Sequence, residues 1–323
     1  MFFDSRFAVA LTWLAAALTS PVLAQSDKPL RLVVPFAPGG AQDVIGRTLA
    51  DRLAPRLGQT VLIDNRAGAG GVIAADAVAK AAPDGNTLLL ATGGAITIAP
   101  HLHAKLPYVP RRDLAAVALI ADTPMTLAVR AQSAYRSVGE VLRDAAARPR
   151  QVAYASTGNA TVSHLTGELF AQAAGVQLLH VPYKGAAPAI TDLIGGQVAL
   201  IVTSAASIDG MVEAGKARVL ATFTAARMPS LGNPPVIAEA AGMKGLEVPV
   251  WVGIMAPAAT PVERLERLAT ELVAVCRASE TADRFKGLGA LQSCGGRAEL
   301  ARTVDEDHAR WERVIRQGGI RVE

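Results

Sequence analysis

The sequence is poor in aromatic side chains and in cysteine. Phe, Trp and Tyr make up 4% of its 323 residues, whereas hydrophobic residues make up 51% and are mainly Ala, Val and Leu. This composition favours an α/β protein with buried parallel strands and argues against the aromatic-rich surface of a nucleic-acid binder. The two cysteines, Cys276 and Cys294, have no metal-ligand spacing around them, so we expect no zinc site.

Clusters of like charge are missing as well. The 32 Lys and Arg residues exceed the 28 Asp and Glu residues to give a formal net charge of +4, and the basic residues are scattered along the chain. A nucleic-acid partner would require a basic stripe, which is absent. A mild positive field suits an anionic solute instead.

The signatures of common enzymes are also lacking. The chain has no GxxxxGK[ST], GxSxG or HExxH motif. Gly68 and Gly70 would need Gly or Ala at position 73 to complete a dinucleotide fingerprint, and Ile73 stands there. We therefore interpret the 68–71 loop as a tight structural turn, with Arg66 pairing with a carboxylate. No nucleophile, base and orienting group occur together, so we predict a protein without enzymatic activity or cofactor, with a hydrolase or dehydrogenase using the glycine loops as the rival interpretation.

Residues 1–24 have the pattern of a cleavable secretory signal peptide. A charged start precedes the apolar run 7–18, and Val22-Leu23-Ala24 precedes Gln25. The apolar run is shorter than the roughly 20 residues that a bilayer span requires, which makes a membrane anchor the weaker interpretation. The remaining residues 25–323 are enough for two domains of roughly 100–200 residues each.

Short apolar runs alternate with amphipathic segments along the rest of the chain, which predicts a mostly parallel sheet covered by helices. The expected strands are 30–36, 60–64, 87–91, 151–155, 178–181, 197–202 and 218–223, and the expected helices are 41–57, 71–80, 162–174, 188–194, 208–213, 262–278 and 297–317.

Two strand-to-helix junctions are the strongest candidates for a binding site. Residues 33–43 end a strand in a Pro/Gly turn that opens a helix, where free N–H groups and the positive end of the helix dipole meet. Glycines allow a ligand to approach the main chain, so a carboxylate or phosphate fits there. The alternative is a plain turn in which Asp43 stabilises the first helical turn, and the local sequence leaves both open.

The second junction, residues 154–164, is rich in hydroxyl and amide groups. Both junctions follow strands, and ligands of open α/β sheets bind outside the carboxyl ends of strands, so the two turns could grip one solute between two domains. Thr161 could instead simply cap its helix. His164 is the one histidine retained as a site candidate, although a lone histidine is more often structural.

Taken together, these segments resemble the Bug family, the TctC-like periplasmic receptors of tripartite tricarboxylate transporters. The matching motifs follow one another over nearly all of residues 25–323: Pro35-Phe36-Ala37-Pro38-Gly39-Gly40 with Asp43, Asp64-Asn65-Arg66-Ala67-Gly68-Ala69-Gly70-Gly71, Ala82-Pro83-Asp84-Gly85, Tyr154-Ala155-Ser156-Thr157-Gly158-Asn159, Val181-Pro182-Tyr183-Lys184-Gly185, Gly195-Gly196-Gln197-Val198, Ala214-Gly215-Lys216, Ala256-Pro257 and Thr260-Pro261.

The resemblance implies an α/β, two-domain, type II periplasmic-binding-protein fold of the Venus-flytrap kind, each domain a central mixed sheet flanked by helices. Domain 1 would comprise residues 25–124 plus 250–323, and domain 2 residues 125–249. Such a periplasmic protein would capture a small carboxylate-bearing metabolite in the interdomain cleft. It would act as a monomer without nucleic acid and deliver the ligand to membrane transporter subunits, or alternatively to a sensor protein.

The ligand-binding residues that the resemblance implies lie mainly in the two junctions. They are Phe36, Gly39, Gly40, Asp43, Ser156, Thr157, Gly158, Asn159 and Thr161, with Thr92, Thr203 and Trp251 as further positions near the cleft. This chain departs from its relatives at Ala160-Thr161, where they commonly have Gly-Ser. It also has Thr203-Ser204-Ala205 where they often place Asp or Asn. An Asp there could receive a ligand amine, so its absence favours a simple mono- or dicarboxylate over an amino acid.

The two cysteines are candidates for a disulfide. A secreted chain meets an oxidising periplasm, and Cys276 ends an amphipathic helix, while Cys294 follows the Gly287-Leu288-Gly289 turn in an expected short strand that packs back on that helix. The alternative is two buried free cysteines that act as small hydrophobic residues.

Overall fold

The computed structural model describes residues 28–318, and within them the strands form two mixed sheets of six and five strands. The predicted signal peptide lies outside the described residues. The strands are β1 Leu30–Val34, β2 Val61–Asn65, β3 Thr87–Thr92, β4 Leu114–Asp122, β5 Met125–Arg130, β6 Ala153–Ser156, β7 Leu179–Pro182, β8 Leu200–Ser204, β9 Ala217–Thr222, β10 Trp251–Pro257 and β11 Leu291–Gly295.

Helices cover both sheets. They are α1 Ala41–Leu57, α2 Val72–Ala79, α3 Ala99–Leu102, α4 Pro110–Asp113, α5 Val138–Ala147, α6 Val162–Ala173, α7 Ala186–Ile194, α8 Ala205–Glu213, α9 Ile237–Ala241, α10 Val262–Arg277, α11 Ser279–Lys286 and α12 Arg297–Gly318. Short 3₁₀ turns occupy Ala69–Gly71 and Pro229–Leu231, and a π-helical turn occupies Gly94–Ile98. No helix between residues 28 and 318 combines the length and the hydropathy needed to cross a membrane.

The six-stranded sheet has the order β11-β4-β10-β3-β1-β2, and we call it with its helices lobe 1. Its strands β1, β2 and β3 are parallel, whereas β10 runs antiparallel to β3 and β4. The five-stranded sheet, lobe 2, has the order β7-β6-β8-β5-β9, in which β6 is parallel to β7 and β8 and β5 is antiparallel to both its neighbours. The prediction of an α/β fold with two mixed, helix-flanked sheets is confirmed.

The chain passes between the lobes twice, at residues 123–124 and between β9 and β10. The two crossings are bonded to each other: Thr123 N–H donates to Val250 O over 2.8 Å, and Val250 N–H donates to Asp122 Oδ1 over 2.9 Å. The predicted domain boundaries fall at these crossings, and the division into two domains stays a prediction.

Each sheet is buried on both faces. Helices α1 and α10 cover one face of the lobe 1 sheet, and α2 covers the other. The long α12 contributes to both lobes, because Leu300 and Val304 pack in lobe 1 while Trp311 and Ile315 pack in the core of lobe 2. This helix therefore ties the two sheets together alongside the crossings.

A disulfide joins the last turn of α10 to β11. The two cysteines, Cys276 and Cys294, have Cα atoms 5.5 Å apart. It lies in lobe 1 and fixes the edge strand β11 to the helix that covers the sheet.

Candidate functional site

The loop of residues 35–40, which connects β1 to α1, is organised from within by Asp43. One carboxylate oxygen accepts the Gly39 N–H over 3.0 Å, and the other accepts the Asn65 side-chain amide over 2.9 Å. Arg47 pairs with both oxygens over 3.0 Å. Asp43 is 3% exposed, so its charge serves the loop and not the cleft.

Two opposing effects act on the pKa of Asp43. Burial of the carboxylate raises the pKa, but the hydrogen bonds from Arg47, Gly39 N–H and Asn65 outweigh burial, and the pKa is lowered from its usual value. Asp43 is therefore an anion near neutral pH. Its contacts within residues 28–318 are those of a loop anchor, and its predicted role in ligand binding stays a prediction.

Gly39 and Gly40 face lobe 2 instead of an open cleft. A Cβ atom at Gly39 would lie 3.6 Å from the Cβ of Ala187, and one at Gly40 would lie 3.6 Å from the Cβ of Ala186. The Gly39 N–H, which was expected to meet a ligand, is occupied by Asp43. A Cβ atom at either position would make ordinary van der Waals contact with lobe 2, and only Gly39, with φ = 91°, has a backbone conformation that favours glycine.

The loop of residues 156–161, which connects β6 to α6, is also braced by its own side chains. Thr161 Oγ1 accepts the His164 N–H over 3.3 Å and donates to Gly158 O over 2.7 Å, which confirms that Thr161 caps its helix. Ser156 is fully buried, and its hydroxyl lies 2.6 Å from His180 Nε2. Ser156 and Thr161 thus support the loop from behind.

His164 is likewise a supporting residue. Its ring is buried, and its Nδ1 accepts the Ala160 N–H over 3.2 Å. The ring is stacked on that of His180, with centroids 3.9 Å apart. His164 therefore contacts the loop on the side away from the cleft.

The glycine loop of residues 68–71 forms a tight 3₁₀ turn at Ala69–Gly71, as expected, and it also approaches lobe 2. A Cβ atom at Gly70 would lie 2.4 Å from Asn159 O in lobe 2. A Cβ atom at Gly94 would lie 2.8 Å from Gly70 O and 3.4 Å from Ala160 O. The glycines let three loops from both lobes meet at one point. Arg66, as expected, pairs with a carboxylate, that of Asp64 at 2.9 Å.

Hydrogen bonds also join the lobes around this point. Ala37 N–H donates to Lys184 O over 3.0 Å, and Ala41 N–H donates to Ser207 Oγ over 3.3 Å. A Cβ atom at Gly185 would lie 3.2 Å from Ala37 N. The cleft between the lobes is therefore closed by direct contacts.

A cavity of about 200 Å³ remains between these contacts. Its lining residues come from both lobes: Pro35, Phe36, Gly68, Ala69, Gly70 and Gly71 from lobe 1, and Thr157, Gly158, Asn159, Pro182, Tyr183 and Lys184 from lobe 2.

The charge in the lining is positive. Lys184 is exposed and has no ion-pair partner among residues 28–318. The neighbouring Tyr183 hydroxyl already donates a hydrogen bond to Asp192 over 2.6 Å. The lining contains no carboxylate. Helix α6 begins at Val162, shortly after the lining residue Asn159, and helix N-termini favour anions. The cavity is therefore suited to a small anion.

Four predicted residues line this cavity: Phe36, Thr157, Gly158 and Asn159. Four others, Thr92, Ser156, Thr203 and Trp251, lie in strands and do not line it. Thr92 is buried in β3, and Thr203 is fully buried in β8. The indole N–H of Trp251 donates to buried Asp307 over 2.9 Å, so this side chain belongs to a separate network beside the crossings.

The glycine loop and residues 182–184 line the cavity but were not among the predicted site residues, although both belong to recognisable motifs. Each segment follows the carboxyl end of a strand, β2 or β7, that lies beside β1 or β6. This position was the signal that could have found them, because neighbouring parallel strands end at one edge of a sheet.

Cavities larger than the one at the candidate site lie elsewhere in the described residues. One of about 520 Å³ adjoins the crossings and is lined by residues such as Phe223, Met228 and Pro249, and one of about 590 Å³ lies between α1 and Arg284. Neither is lined by the strand-to-helix loops that bring backbone N–H groups together. We therefore place the candidate site in the smaller cavity.

The comparisons with known proteins point in the same direction. A family model described as the tripartite tricarboxylate transporter family receptor matches residues 45–320. A UPF0065 protein from Pseudomonas sp. (strain P51) is 39% identical over 290 residues, which cover 90% of this chain and 86% of that protein.

Solved structures resemble the whole described fold. That of the periplasmic binding protein BugD has a TM-score of 0.87 at 33% identity, covering 91% of this chain and 99% of that one. The structure of Rpa4515 of R. palustris with adipate has a TM-score of 0.87 at 36% identity, covering 91% of this chain and 98% of that one. The structure of MatC of Rhodopseudomonas palustris with bound malate has a TM-score of 0.85 at 32% identity, covering 89% of this chain and 98% of that one.

Proposed function

Because this chain belongs to the tripartite tricarboxylate transporter receptor family of periplasmic solute-binding proteins, we propose that it captures a small dicarboxylate between its two lobes. The lobes would correspond to domains 25–124 plus 250–323 and 125–249. The protein would act as a monomer and pass its ligand to membrane transporter subunits.

The observation that carries the proposal is the lining of the 200 Å³ cavity. It contains one charged side chain, Lys184, and four loop segments, two from each lobe. A carboxylate held by backbone N–H groups and an ammonium group makes charge-assisted hydrogen bonds, which are stronger than neutral ones. A ligand gripped from both sides would also stabilise the closed arrangement of the lobes.

The size of the cavity supports a small solute. Pockets for drug-sized molecules measure roughly 300–1,000 Å³, so a cavity of about 200 Å³ favours a ligand of a few carbon atoms. Two relatives with solved structures hold such molecules, adipate and malate. The second carboxylate would lie towards Lys184 at the mouth, and the first against the loop amides.

Titration calorimetry with adipate, malate and the uncharged diamide of adipic acid tests the proposal. We expect a dicarboxylate to bind and the diamide to fail, because the diamide has the same length without the charges. Lys184→Gln should weaken dicarboxylate binding roughly 10-fold. Lys105→Gln, which removes an exposed lysine outside the lining, should leave the affinity unchanged. Binding of the diamide as tightly as the dicarboxylate would contradict the proposal.

A further inference from the structure

His164 and His180 lie directly behind the loop that lines the cavity from lobe 2. Their rings are stacked with centroids 3.9 Å apart and planes tilted by 8°. The Tyr154 ring lies 5.0 Å from that of His180. A Cβ atom at Gly167 would clash with Tyr154 at 2.3 Å, so α6 carries a glycine where the tyrosine ring packs. The result is a packed aromatic group beneath residues 156–161.

Each imidazole holds one end of this loop. His164 Nδ1 accepts the N–H of Ala160 over 3.2 Å. His180 Nε2 lies 2.6 Å from the Ser156 hydroxyl, which in turn accepts the Gly158 N–H over 3.2 Å. The loop backbone is thus fixed near its beginning and near its end.

The loop needs such restraint because its conformation is unusual. Gly158 has φ = 140° and Ala160 has φ = 57°, and a residue with a Cβ atom rarely adopts the left-handed region. Relaxation of Ala160 to its preferred backbone conformation would redirect the neighbouring peptide groups. Asn159 N–H has no acceptor within residues 28–318, so it remains available at the cavity.

The contact of His164 with Ala160 requires a neutral ring, whereas His180 Nε2 can donate to or accept from the Ser156 hydroxyl. A protonated His164 would present N–H at Nδ1 towards the Ala160 N–H, and the hydrogen bond would be lost. The titratable groups that face the rings are Tyr154 and Glu168, which bond to each other over 2.6 Å, with Glu168 Oε1 lying 3.8 Å from His164 Nε2. Burial lowers the pKa of His164 to about 4. Burial, and then the proximity of His164, lowers the pKa of His180 to about 3.

We propose that His164 and His180 are positioning residues for the solute site, which hold residues 156–161 in the shape that lines the cavity. The proposal depends on the proposed function for the identity of the ligand. The shape of the loop can be measured without a ligand, so the two proposals can fail separately.

Two substitutions of His164 separate its hydrogen bond from its bulk. His164→Phe keeps a ring of similar size and removes the acceptor, whereas His164→Asn places an amide oxygen close to the position of Nδ1. By calorimetry at pH 7 with adipate or malate, the Phe variant should bind at least about 10-fold more weakly, and the Asn variant within about threefold of wild type. His180→Phe and His180→Gln form the corresponding pair.

Hydrogen exchange of amides 157–161 provides the readout that needs no ligand. Exchange there should accelerate in His164→Phe and stay near wild type in His164→Asn, while amides of lobe 1 remain unchanged. If wild type binds neither dicarboxylate but these exchange rates change, the proposed ligand is wrong and the positioning role stands. Wild-type exchange and wild-type affinity in both Phe variants would overturn the positioning role.

A pH profile covers the case in which the Phe variants do not fold. The affinity of wild type for adipate should fall about twofold more between pH 7 and pH 4 than that of the His164→Asn/His180→Gln double variant, because about half of His164 is protonated near its pKa of about 4. Titration of the ligand affects both proteins equally, so the difference between them reports the histidines. Identical profiles would contradict the proposal.

Discussion

At the scale of single residues, the cavity exists because certain positions lack a side chain. Gly70 and Gly94 lie where loops of the two lobes touch, and neither position has room for a Cβ atom without displacement of backbone. Gly70 also has φ = 62°, which favours glycine. Such residues determine how closely the lobes approach, although they bear no functional group.

Gly70→Ala should therefore weaken dicarboxylate binding by roughly 10-fold or more, because its Cβ would lie 2.4 Å from Asn159 O in the closed arrangement. Gly175→Ala is the matched control, since Gly175 has φ = 65° and no neighbour within 4 Å. Both variants should lose about 1 kcal/mol of stability from backbone strain. Calorimetry should show a loss of affinity in the first alone, and equal affinities would remove Gly70 from the lobe contact.

The buried His164 and the half-buried His180 predict how stability depends on pH. Their folded pKa values of about 4 for His164 and about 3 for His180 lie below the ordinary value of 6.5. At pH values between the folded pKa of each histidine and 6.5, the unfolded chain therefore binds more protons than the folded protein does. Their contribution is fully present above about pH 6.5 and is lost as pH falls towards the folded pKa values, with a slope of up to roughly 1.4 kcal/mol per pH unit for each histidine.

Urea unfolding at pH 7, 6, 5 and 4 measures this dependence. The His164→Asn/His180→Gln double variant should have a shallower decline than wild type between pH 6 and pH 4, because it retains the carboxylates but lacks both imidazoles. Parallel curves for the two proteins would show that the histidines are not neutral and buried in the folded protein.

At the scale of elements, the sequence predicted the bounds of helices and strands most accurately where turn residues flank them. Helix α1 begins and ends at the predicted residues 41 and 57, because Gly40 precedes it and Gly58 ends it with φ = 61°. Strands β1, β3 and β6 were placed within two residues of their bounds. The short strand expected around Cys294 is β11. Strands β4, β5 and β10 and helix α5 were not predicted, since continuous apolar runs such as Leu114–Asp122 have no periodicity that separates strand from helix.

Part of the candidate site was predicted because turn residues also mark the loops that form it. The two strand-to-helix junctions could be recognised locally, and four of their residues line the cavity. The contribution of Gly68–Gly71 and Lys184 depends on which strands are neighbours and on how the lobes close. That information is tertiary, so the local pattern marks these segments only as loops that follow strand ends.

The disulfide belongs to this scale because it fixes β11 to α10. Replacing both Cys276 and Cys294 by Ser should cost about 3 kcal/mol of stability, as expected for a closed loop of 18 residues. Dicarboxylate affinity should not change, because neither cysteine lines the cavity. Mass spectrometry of the unreduced wild-type protein should find no alkylatable thiol. Two free thiols, or a variant as stable as wild type, would contradict this assignment.

At the scale of the whole molecule, three connections govern the relation of the lobes. The two crossings are hydrogen-bonded together at Thr123 and Val250, and α12 packs in both lobes through Leu300 and Trp311. The contacts of Ala37 with Lys184 and of Gly70 with Asn159 lie at the mouth of the cleft. A ligand that bridges this mouth would favour the closed arrangement in proportion to its greater affinity for that arrangement.

The most direct test of the dicarboxylate site is a crystal structure of the protein with adipate or malate. The account predicts ligand density between Phe36, Gly70 and Asn159, with one carboxylate against the loop amides and the other within hydrogen-bond reach of Lys184. Density confined to the larger hollow beside Phe223 and Met228, or a ligand touching only one lobe, would contradict it.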